Sequence, residues 1–240
     1  MSENAVQNAL LQGLEPAARQ LLLRNAERKH FDTGHLFFRM GSPSEYVYFP
    51  EIGVASLVAR TEDGDQIETG VIGHEGAVGL PEALARAEMF PHVTVQVAGE
   101  FWKVNAAGCR NAFGSEPGRT AVERYAQFSL AEARQSVACI AFHTLERRLA
   151  RWLWTCWSRA NAGNEIAITH EYMSAMLGSR RASVTETLPK LFGAGIRTAR
   201  GKIIVEDPKA LANASCECLS YIEDLRSALF RPAVSAAPQH

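Results

Sequence analysis

The sequence predicts an α+β protein in which a strand-rich N-terminal half leads through a long helical segment into a small C-terminal domain. Short apolar runs separated by turn residues fill residues 31–104, and a helical apolar period replaces them from Pro117 onward. A helix pair and a hairpin follow the turn at 161–164. A chain of 240 residues that is 47% hydrophobic is long and apolar enough for two cores.

These changes of pattern predict four segments along the chain. They are a strand domain (1–116), a helix with its connector (117–160), a domain built on a helix pair (161–230) and a disordered tail (231–240).

Six short apolar runs predict the β-strands of the first segment. They lie at 36–38, 46–49, 54–58, 66–69, 93–97 and 101–104. The pair Asp63-Gly64 lies between two of these runs and is a strong hairpin signal. Many short strands at this spacing are typical of a β-sandwich or a small barrel.

The apolar residues after Pro117 recur at helical spacing, and Pro117 itself suits the first turn of a helix. The clearest apolar stripe consists of Leu145, Leu149, Trp152, Leu153 and Cys156. The pattern predicts one long helix or two in series, packed against the rest of the chain or against a second subunit. We favour the second subunit, because a long helix between two domains has little of its own chain to cover both faces.

The C-terminal domain begins with the features of two helices joined by a tight turn. Thr169 can cap the first helix, 170–177, and Gly178 supplies a turn residue that tolerates positive φ. The second helix is predicted over 180–192, and Pro189 should bend or end it because proline has no amide to donate. The apolar residues expected on the facing surfaces are Met173, Met176, Leu177, Val184, Leu188 and Leu191.

The formal net charge of the chain is only -1, so binding to nucleic acid would need a local cluster of positive charge. Between Thr169 and Lys202, where a hairpin is predicted over 196–205, the only acids are Glu171 and Glu186. The basic residues of the same segment are Arg180, Arg181, Lys190, Arg197, Arg200 and Lys202. We interpret them as a phosphate-binding surface in preference to scattered solvated charges.

Five stretches of the chain carry a resemblance to a known family. They are ITHEYMSAMLGSRRASVTETL, KLFGAGIRTARGKIIVEDPKAL, CIAFHTLERRLARWLW, GHLFFRMGSPSEYVYFPEIGVASLV and GVIGHEGAVGL. The first two resemble the winged helix-turn-helix of the Crp/Fnr family of transcription regulators. The third is similar to the end of that family's dimerisation helix and the helix after it. The last two are similar to its cyclic-nucleotide-binding β-roll.

The resemblance implies an N-terminal cyclic-nucleotide-binding-type β-roll as a sensor, a long dimerisation helix and a C-terminal winged helix-turn-helix. It implies a homodimer that binds a double-stranded DNA operator, with RNA polymerase as a further candidate partner. It also implies that helix 180–192 enters the major groove and that Arg181 contacts a guanine edge.

The remaining candidates for base contacts follow from helical periodicity. Relative to the core-facing Val184, the residues Ala182, Thr185 and Glu186 point outward and are candidate base readers. Glu186 would accept from a cytosine amine, act as a specificity filter or lie in solvent. The candidate phosphate contacts are Thr169, His170, Arg180, Ser183, Arg200 and Lys202.

The sensor domain departs from the family pattern for cyclic nucleotides. In that pattern a glutamate holds the ribose and an arginine pairs with the phosphate, whereas here Leu80 stands at the glutamate position and no arginine is in register. Cyclic AMP is therefore not expected, because its phosphate would lack a charge-assisted contact. The weaker candidates for a ligand pocket are Gly79, Leu80, Arg86 and Arg134. No cofactor is predicted, but haem binding stays open through His30, His35, His74 and His92.

Five cysteines predict reduced structural or surface thiols, because their odd number and spacing fit no disulfide framework. A single residue separates Cys216 from Cys218, which is too close for the usual paired-ligand motif. We therefore predict no metal site, with a redox or metal role as the minor alternative.

Other classes of protein are disfavoured by what the sequence lacks. It has no nucleophile with a neighbouring base and no spaced metal-ligand set, so an enzyme is not expected. It has no secretory signal and no apolar run of about 18 residues, which favours a cytoplasmic location away from membranes. The alternative function is a regulatory protein that binds a cyclic-nucleotide-like ligand and whose winged domain contacts protein.

Overall fold

The computed structural model describes residues 6–230, so the predicted tail lies outside the described residues. Two short helices come first, α1 (Ala9–Gln12) and α2 (Pro16–Arg24). The strands that follow are β1 (Glu27–Phe31), β2 (Leu36–Phe38), β3 (Tyr46–Pro50), β4 (Val54–Arg60), β5 (Gln66–Ile72), β6 (His92–Val97) and β7 (Gly99–Asn105). Helix α3 (Leu80–Ala85) precedes β6, and helix α4 (Ala106–Ala112) follows β7.

These strands form two antiparallel sheets that share an apolar interior. One sheet has the order β1-β7-β3 and the other β2-β6-β4-β5. Phe101 of the first sheet and Val93 of the second are fully buried in the same cluster. The six predicted strands are confirmed, and so is the hairpin of β4 and β5, in which Gly64 has φ +89°.

The sequence did not predict β1, because ERKHF has no alternation of apolar and polar residues. It lies at the edge of its sheet, pairs with β7, and leaves four of its five residues exposed. Its backbone hydrogen bonds therefore define it, since little of its side-chain surface is buried.

Two helices in series connect the strands to the C-terminal domain, α5 (Glu116–Phe142) and α6 (Leu145–Ala160). The hydroxyl of Ser115 accepts from the Gly118 amide and caps α5, and Pro117 lies in the first turn as expected. The chain turns at His143, which has an extended backbone conformation.

The apolar stripe of α6 packs within its own chain, so its predicted role in pairing two subunits is wrong. Leu149, Leu153 and Cys156 are fully buried in a cluster that also contains Val184 and Ile203 of the C-terminal domain. The stripe is covered because α6 lies between the sheets and that domain, which sequence periodicity alone does not reveal.

The C-terminal domain combines a small sheet with five helical segments. These elements are β8 (Glu165–Ala167), α7 (His170–Met176), α8 (Arg181–Thr187), a 3-10 helix (Leu188–Ala194), β9 (Ile196–Ala199), β10 (Lys202–Val205), α9 (Pro208–Ala214) and α10 (Cys218–Leu229). The sheet has the order β8-β10-β9, so the predicted hairpin is present and gains a third strand.

The second helix of the pair is shorter than the predicted 180–192. Helix α8 ends at Thr187, and the chain continues as the 3-10 helix with Pro189 in its first turn. Proline cannot donate to the carbonyl of Thr185, so the α-helical ladder stops where the sequence suggested. No helix within residues 6–230 is long and apolar enough to cross a membrane.

Candidate nucleic-acid interface

The two helices of the pair are held by their predicted apolar faces. Met173 of α7 and Val184 of α8 are both fully buried, with Leu188 beside them. Gly178 takes φ +56° in the turn between the helices, as a left-handed turn residue must. The guanidinium of Arg148 on α6 donates to the carbonyl of Leu177 and anchors the end of α7.

The side chains on the opposite side of α8 lie in solvent. Arg181, Ala182, Thr185 and Glu186 are all exposed, whereas Val184 is completely buried. Arg181 begins the helix, where a side chain can reach forward into a groove. The structure therefore gives these residues the outward direction that helical periodicity predicts.

Thr185 has a more defined role than its exposure indicates. Its hydroxyl donates to the carbonyl of Arg181 at 3.0 Å, and its oxygen lies 3.0 Å from Nδ1 of His170. When Nδ1 carries the proton, His170 donates to Thr185 and joins the first turn of α7 to α8. The Thr185 hydroxyl proton is thus already engaged, and the side chain can only accept from a base.

A backbone contact places the turn of the wing beside the start of α7. The amide of Ile168 donates to the carbonyl of Gly201 at 3.0 Å, next to Arg200. Thr169 caps α7 by accepting from the Tyr172 amide at 3.1 Å. The wing turn, the start of α7 and the exposed face of α8 therefore form one continuous surface.

The positive charge of this surface is smaller than the count along the sequence implies. Lys202 lies 2.6 Å from Glu165, and Arg197 lies 2.7 Å from Glu206. Glu165 and Glu206 lie just outside residues 169–202, so the count of charges over that segment did not include them. Four cations of this surface have no carboxylate within 4.0 Å in the part of the chain that the structure describes. They are Arg180, Arg181, Lys190 and Arg200.

The remaining candidate phosphate contacts differ in accessibility. Arg180 is exposed at the start of α8 and Ser183 is half-buried one residue before the buried Val184. The β4–β5 hairpin approaches this end of the helix pair, and Asp65 and Arg180 line the same open cleft. A Cβ atom on Gly178 would lie 2.7 Å from Cδ1 of Ile67 on the hairpin.

The residues proposed for a ligand pocket do not come together. Leu80 is fully buried among the apolar residues of the roll, and Gly79 precedes it with φ +79°. Arg86 is exposed at the end of α3 and borders an open cleft with Glu82 and Arg110. Arg134 is exposed on α5, away from that cleft. The predicted grouping is therefore wrong, because a leucine in the core cannot face a polar ligand.

The histidines considered for haem lie at separate places. His30 contacts Glu100 at 3.2 Å, and His74 Nδ1 lies 3.1 Å from the carbonyl of Arg159. His35 is exposed, and its ring lies tilted against that of Phe31 with the centroids 4.7 Å apart. His92 is the first residue of β6, where its backbone pairs with β4. It therefore lies apart from the other three histidines.

The structure also brings together a cluster of side chains that the spacing of the cysteines did not predict. All five cysteines are buried, so none is the surface thiol allowed by the sequence. Cys216 and Cys218 meet Cys139 and His143 at the end of α5, and the four potential ligand atoms converge. A metal ion could be held there, which the separation of Cys216 from Cys218 by one residue did not predict.

Comparison with protein families identifies two domains in the chain. A model described as the cyclic nucleotide-binding domain matches residues 28–115. A model described as the Crp-like helix-turn-helix domain matches residues 147–214. Together they span about two thirds of the chain and leave the whole of α5 between them.

Solved structures share this arrangement at low sequence identity. A protein from Eubacterium rectale, described as a transcriptional regulator of the Crp/Fnr family, is 20% identical with a TM-score of 0.64, over 85% of this chain and 96% of its own. FixK2 from Bradyrhizobium japonicum is 15% identical with a TM-score of 0.66, over 80% and 98%. The c-di-GMP responsive regulator CLP from Xanthomonas campestris is 16% identical with a TM-score of 0.60, over 80% and 100%. These similarities concern the fold, and no curated protein matches the chain significantly.

Proposed function

The chain belongs to the Crp/Fnr family of transcription regulators and carries that family's DNA-binding helix-turn-helix, and from this premise we propose how it reads DNA. It acts as a homodimer that places one α8 helix of each subunit in the major groove of a specific double-stranded site. The observation that carries this proposal is the exposed Arg181 at the start of α8, which has no carboxylate within 4.0 Å among residues 6–230.

Arg181 is the principal base-reading residue of this proposal. A guanidinium can donate two parallel hydrogen bonds to O6 and N7 of guanine, which is the commonest specific contact in the major groove. Ala182 beside it is small and exposed, so it permits close approach of the helix to the bases. Glu186 lies one turn further along the same face and would accept from a cytosine amine while being repelled by other base edges.

The continuous surface around α8 supplies contacts that position the protein. Arg180 precedes the reading helix, and Arg200 lies at the wing turn beside Thr169. Contacts of this kind to phosphate oxygens fix the orientation on the duplex and carry no sequence information. His170 contributes by holding Thr185 as well as by its position at the start of α7.

A second copy of the chain is the proposed occupant of an apolar seam on α5. The seam is defined by five residues that follow each other at alternating steps of four and three: Ala126, Leu130, Ala133, Val137 and Ile140. Val137 is 68% exposed and Leu130 is 45% exposed, although both are apolar. This spacing is the a/d pattern by which helices pair, and pairing two α5 helices would cover the seam.

The sensor domain is proposed to act without cyclic AMP bound in the family manner. Leu80, at the position of the ribose-binding glutamate, is fully buried in the core of the roll. An ionised glutamate at that position would face a ligand, whereas a buried leucine stabilises the roll itself. The effector is therefore of another chemical class, or regulation operates without one.

Selection of bound duplexes from a random DNA pool tests the proposed function. Against the selected site, Arg181→Ala should lower affinity roughly 10- to 100-fold, and it should leave binding to unrelated DNA nearly unchanged. The matched control is Arg200→Ala, which should weaken both kinds of binding to a similar extent because it removes a phosphate contact.

Two outcomes would contradict the proposal. Equal losses on specific and unrelated DNA for Arg181→Ala would remove its base-reading role. Failure to recover any enriched sequence, with and without cell-extract metabolites, would favour a winged domain that contacts protein.

A further inference from the structure

Four side chains from two distant parts of the sequence converge at the end of α5. Cys139 Sγ lies 3.5 Å from Cys216 Sγ, and Cys218 Sγ lies 3.5 Å from His143 Nδ1. These four atoms all lie within 4.8 Å of one another. The three cysteines are no more than 3% exposed and form a buried cluster of their own.

Local structure explains how Cys139 and His143 come to face Cys216 and Cys218. Cys139 lies in the last turn of α5, and His143 caps that helix with its amide donating to the carbonyl of Cys139 at 3.1 Å, which keeps the two residues together. Cys216 lies between α9 and α10, and Cys218 begins α10. Helix α10 packs along α5 and brings both thiols against the first pair.

The two separations of 3.5 Å are close to those that a single tetrahedral ion imposes. Zinc bonds of about 2.3 Å to sulfur and about 2.0 Å to imidazole nitrogen place two sulfurs about 3.8 Å apart, and a sulfur and a nitrogen about 3.5 Å apart. An iron–sulfur cluster would distribute its four protein ligands over at least two iron atoms, and ligands on different irons would lie farther apart than the 4.8 Å that encloses all four atoms here. A disulfide between Cys139 and Cys216 would use only half of the converging groups.

The surroundings of the four side chains are those of a metal site. The second ring nitrogen of His143, Nε2, lies 3.0 Å from a carboxylate oxygen of Glu217. A carboxylate at that position fixes the proton on Nε2 and leaves Nδ1 free to bind a metal. The side-chain amide of Gln135 donates to Cys218 Sγ at 3.1 Å, as donors around zinc-bound thiolates do.

We propose that Cys139, His143, Cys216 and Cys218 bind one zinc ion, with His143 as a ligand through Nδ1. The ion fastens the beginning of α10 to the end of α5. Because α10 follows α9, the last helix of the winged domain, and packs along α5, the ion ties the end of that domain to the helix that carries the proposed dimer seam. Glu217 is a positioning residue, since it acts through His143.

The first test measures metal in the full-length protein purified without chelators. Wild type should contain about one zinc per chain, and Cys216→Ser and Cys218→Ser should contain little. The matched control is Cys109→Ser, which removes another buried thiol located in the roll. Glu217→Gln should keep the site but weaken zinc affinity roughly 10- to 100-fold in a chelator competition.

The second test replaces zinc with Co²⁺ in the wild-type protein, so it does not depend on whether a cysteine variant folds. Tetrahedral thiolate ligation should give intense visible absorption and sulfur-to-cobalt charge-transfer bands, in wild type and in Cys109→Ser alike. Both tests are made without DNA, so their failure is distinguishable from failure of the proposed DNA-reading function.

Three results would overturn the proposal. They are zinc-free wild type with a Cys139–Cys216 disulfide, iron accompanied by acid-labile sulfide, and weak octahedral cobalt absorption. Circular dichroism of each variant shows whether the loss of metal accompanies a folded chain.

Discussion

Nη2 of Arg159 lies 2.7 Å from a carboxylate oxygen of Glu132, and both side chains are buried in the body of the protein. Arg159 belongs to α6 and Glu132 to α5, so the pair joins the two helices that link the domains. Nη1 of the same arginine donates to the carbonyl of Val71 at 2.9 Å and lies 3.4 Å from Glu75. The guanidinium is therefore held by three different segments.

Replacing Glu132 with alanine should destabilise the protein by about 3 kcal/mol, because it leaves the buried Arg159 with less compensation for its charge. The free energy of unfolding in urea measures this change. Lys29→Ala is the control, because Lys29 forms an ion pair with Glu27 on the surface and its loss should leave stability unchanged. Similar unfolding curves for Glu132→Ala and wild type would contradict a structural role for the buried pair.

Glu68 lies at the start of a hydrogen-bonded chain between β5, β4 and β6. Its carboxyl group is 2.6 Å from the Ser56 hydroxyl, which is itself 2.5 Å from Oε1 of Gln96. One hydroxyl proton cannot serve two acceptors, so protonated Glu68 or a reoriented Gln96 amide must donate to Ser56. Burial raises the pKa of Glu68 to about 7, with Glu132 adding to the rise and hydrogen bonds from Ser56 and Trp152 and the charge of Arg151 opposing it.

This shift predicts a loss of stability as pH rises. The folded protein favours the protonated acid more than the unfolded chain does, so the loss begins near the ordinary pKa of glutamate and is complete above about pH 7. Wild type should lose about 2 kcal/mol relative to Glu68→Gln between about pH 5 and about pH 8. Urea unfolding at the two values measures the difference.

The exposed Glu62 offers a control for this pH dependence, since Glu62→Gln should follow wild type. A constant difference between Glu68→Gln and wild type across the same range would show that Glu68 ionises normally.

Gly178 is expected to tolerate no side chain. Gly178→Ala would place a Cβ atom 2.7 Å from Ile67 and force a non-glycine residue to φ +56°. The left-handed backbone conformation alone should lower the free energy of unfolding by about 1 kcal/mol, and the close contact with Ile67 should lower it further. Gly201→Ala is the matched control, because Gly201 has φ +70° and its Cβ atom would meet no atom within 4 Å.

Thermal or urea unfolding of both variants separates the two contributions. Gly178→Ala should be the less stable of the two, and adding Ile67→Ala should recover only the part caused by the contact. Equal stabilities of Gly178→Ala and Gly201→Ala would mean that Ile67 of the β4–β5 hairpin does not restrict the space at position 178.

Val137→Glu should convert the proposed dimer into a monomer, because two carboxylates would meet in an apolar seam. Sedimentation velocity measures the change in mass. Binding to the selected DNA site should fall more than tenfold, since one subunit contacts only one half-site. Leu21→Glu changes a similarly exposed apolar residue outside α5 and should keep the mass of wild type. A monomeric wild-type protein, or a dimeric Val137→Glu variant, would contradict the seam.

Elements with local signals were predictable from the sequence. The cap at Thr169, the glycine at 178 and the stop at Pro189 each act within one turn of helix, so they define α7 and α8 to within a few residues. The hairpin around Asp63-Gly64 has a local signal of the same kind.

Features that depend on distant parts of the chain were not predictable. Cys139 and Cys216 are 77 residues apart, and their approach depends on how α10 packs along α5. The partner of the α6 stripe was equally hidden, since periodicity identifies a buried face but not what covers it.

The ion pairs of the wing alter how ionic strength should act on DNA binding. Each phosphate neutralised by a lysine or arginine ordinarily releases about 0.9 of a condensed cation from the duplex. Lys202 and Arg197 already neutralise Glu165 and Glu206, so contact with phosphate would expose a carboxylate that gathers cations in turn. We therefore expect the slope of log affinity against log salt to count Lys190 and the unpaired arginines, Arg200 of the wing turn included, while Arg197 and Lys202 add little net release of ions.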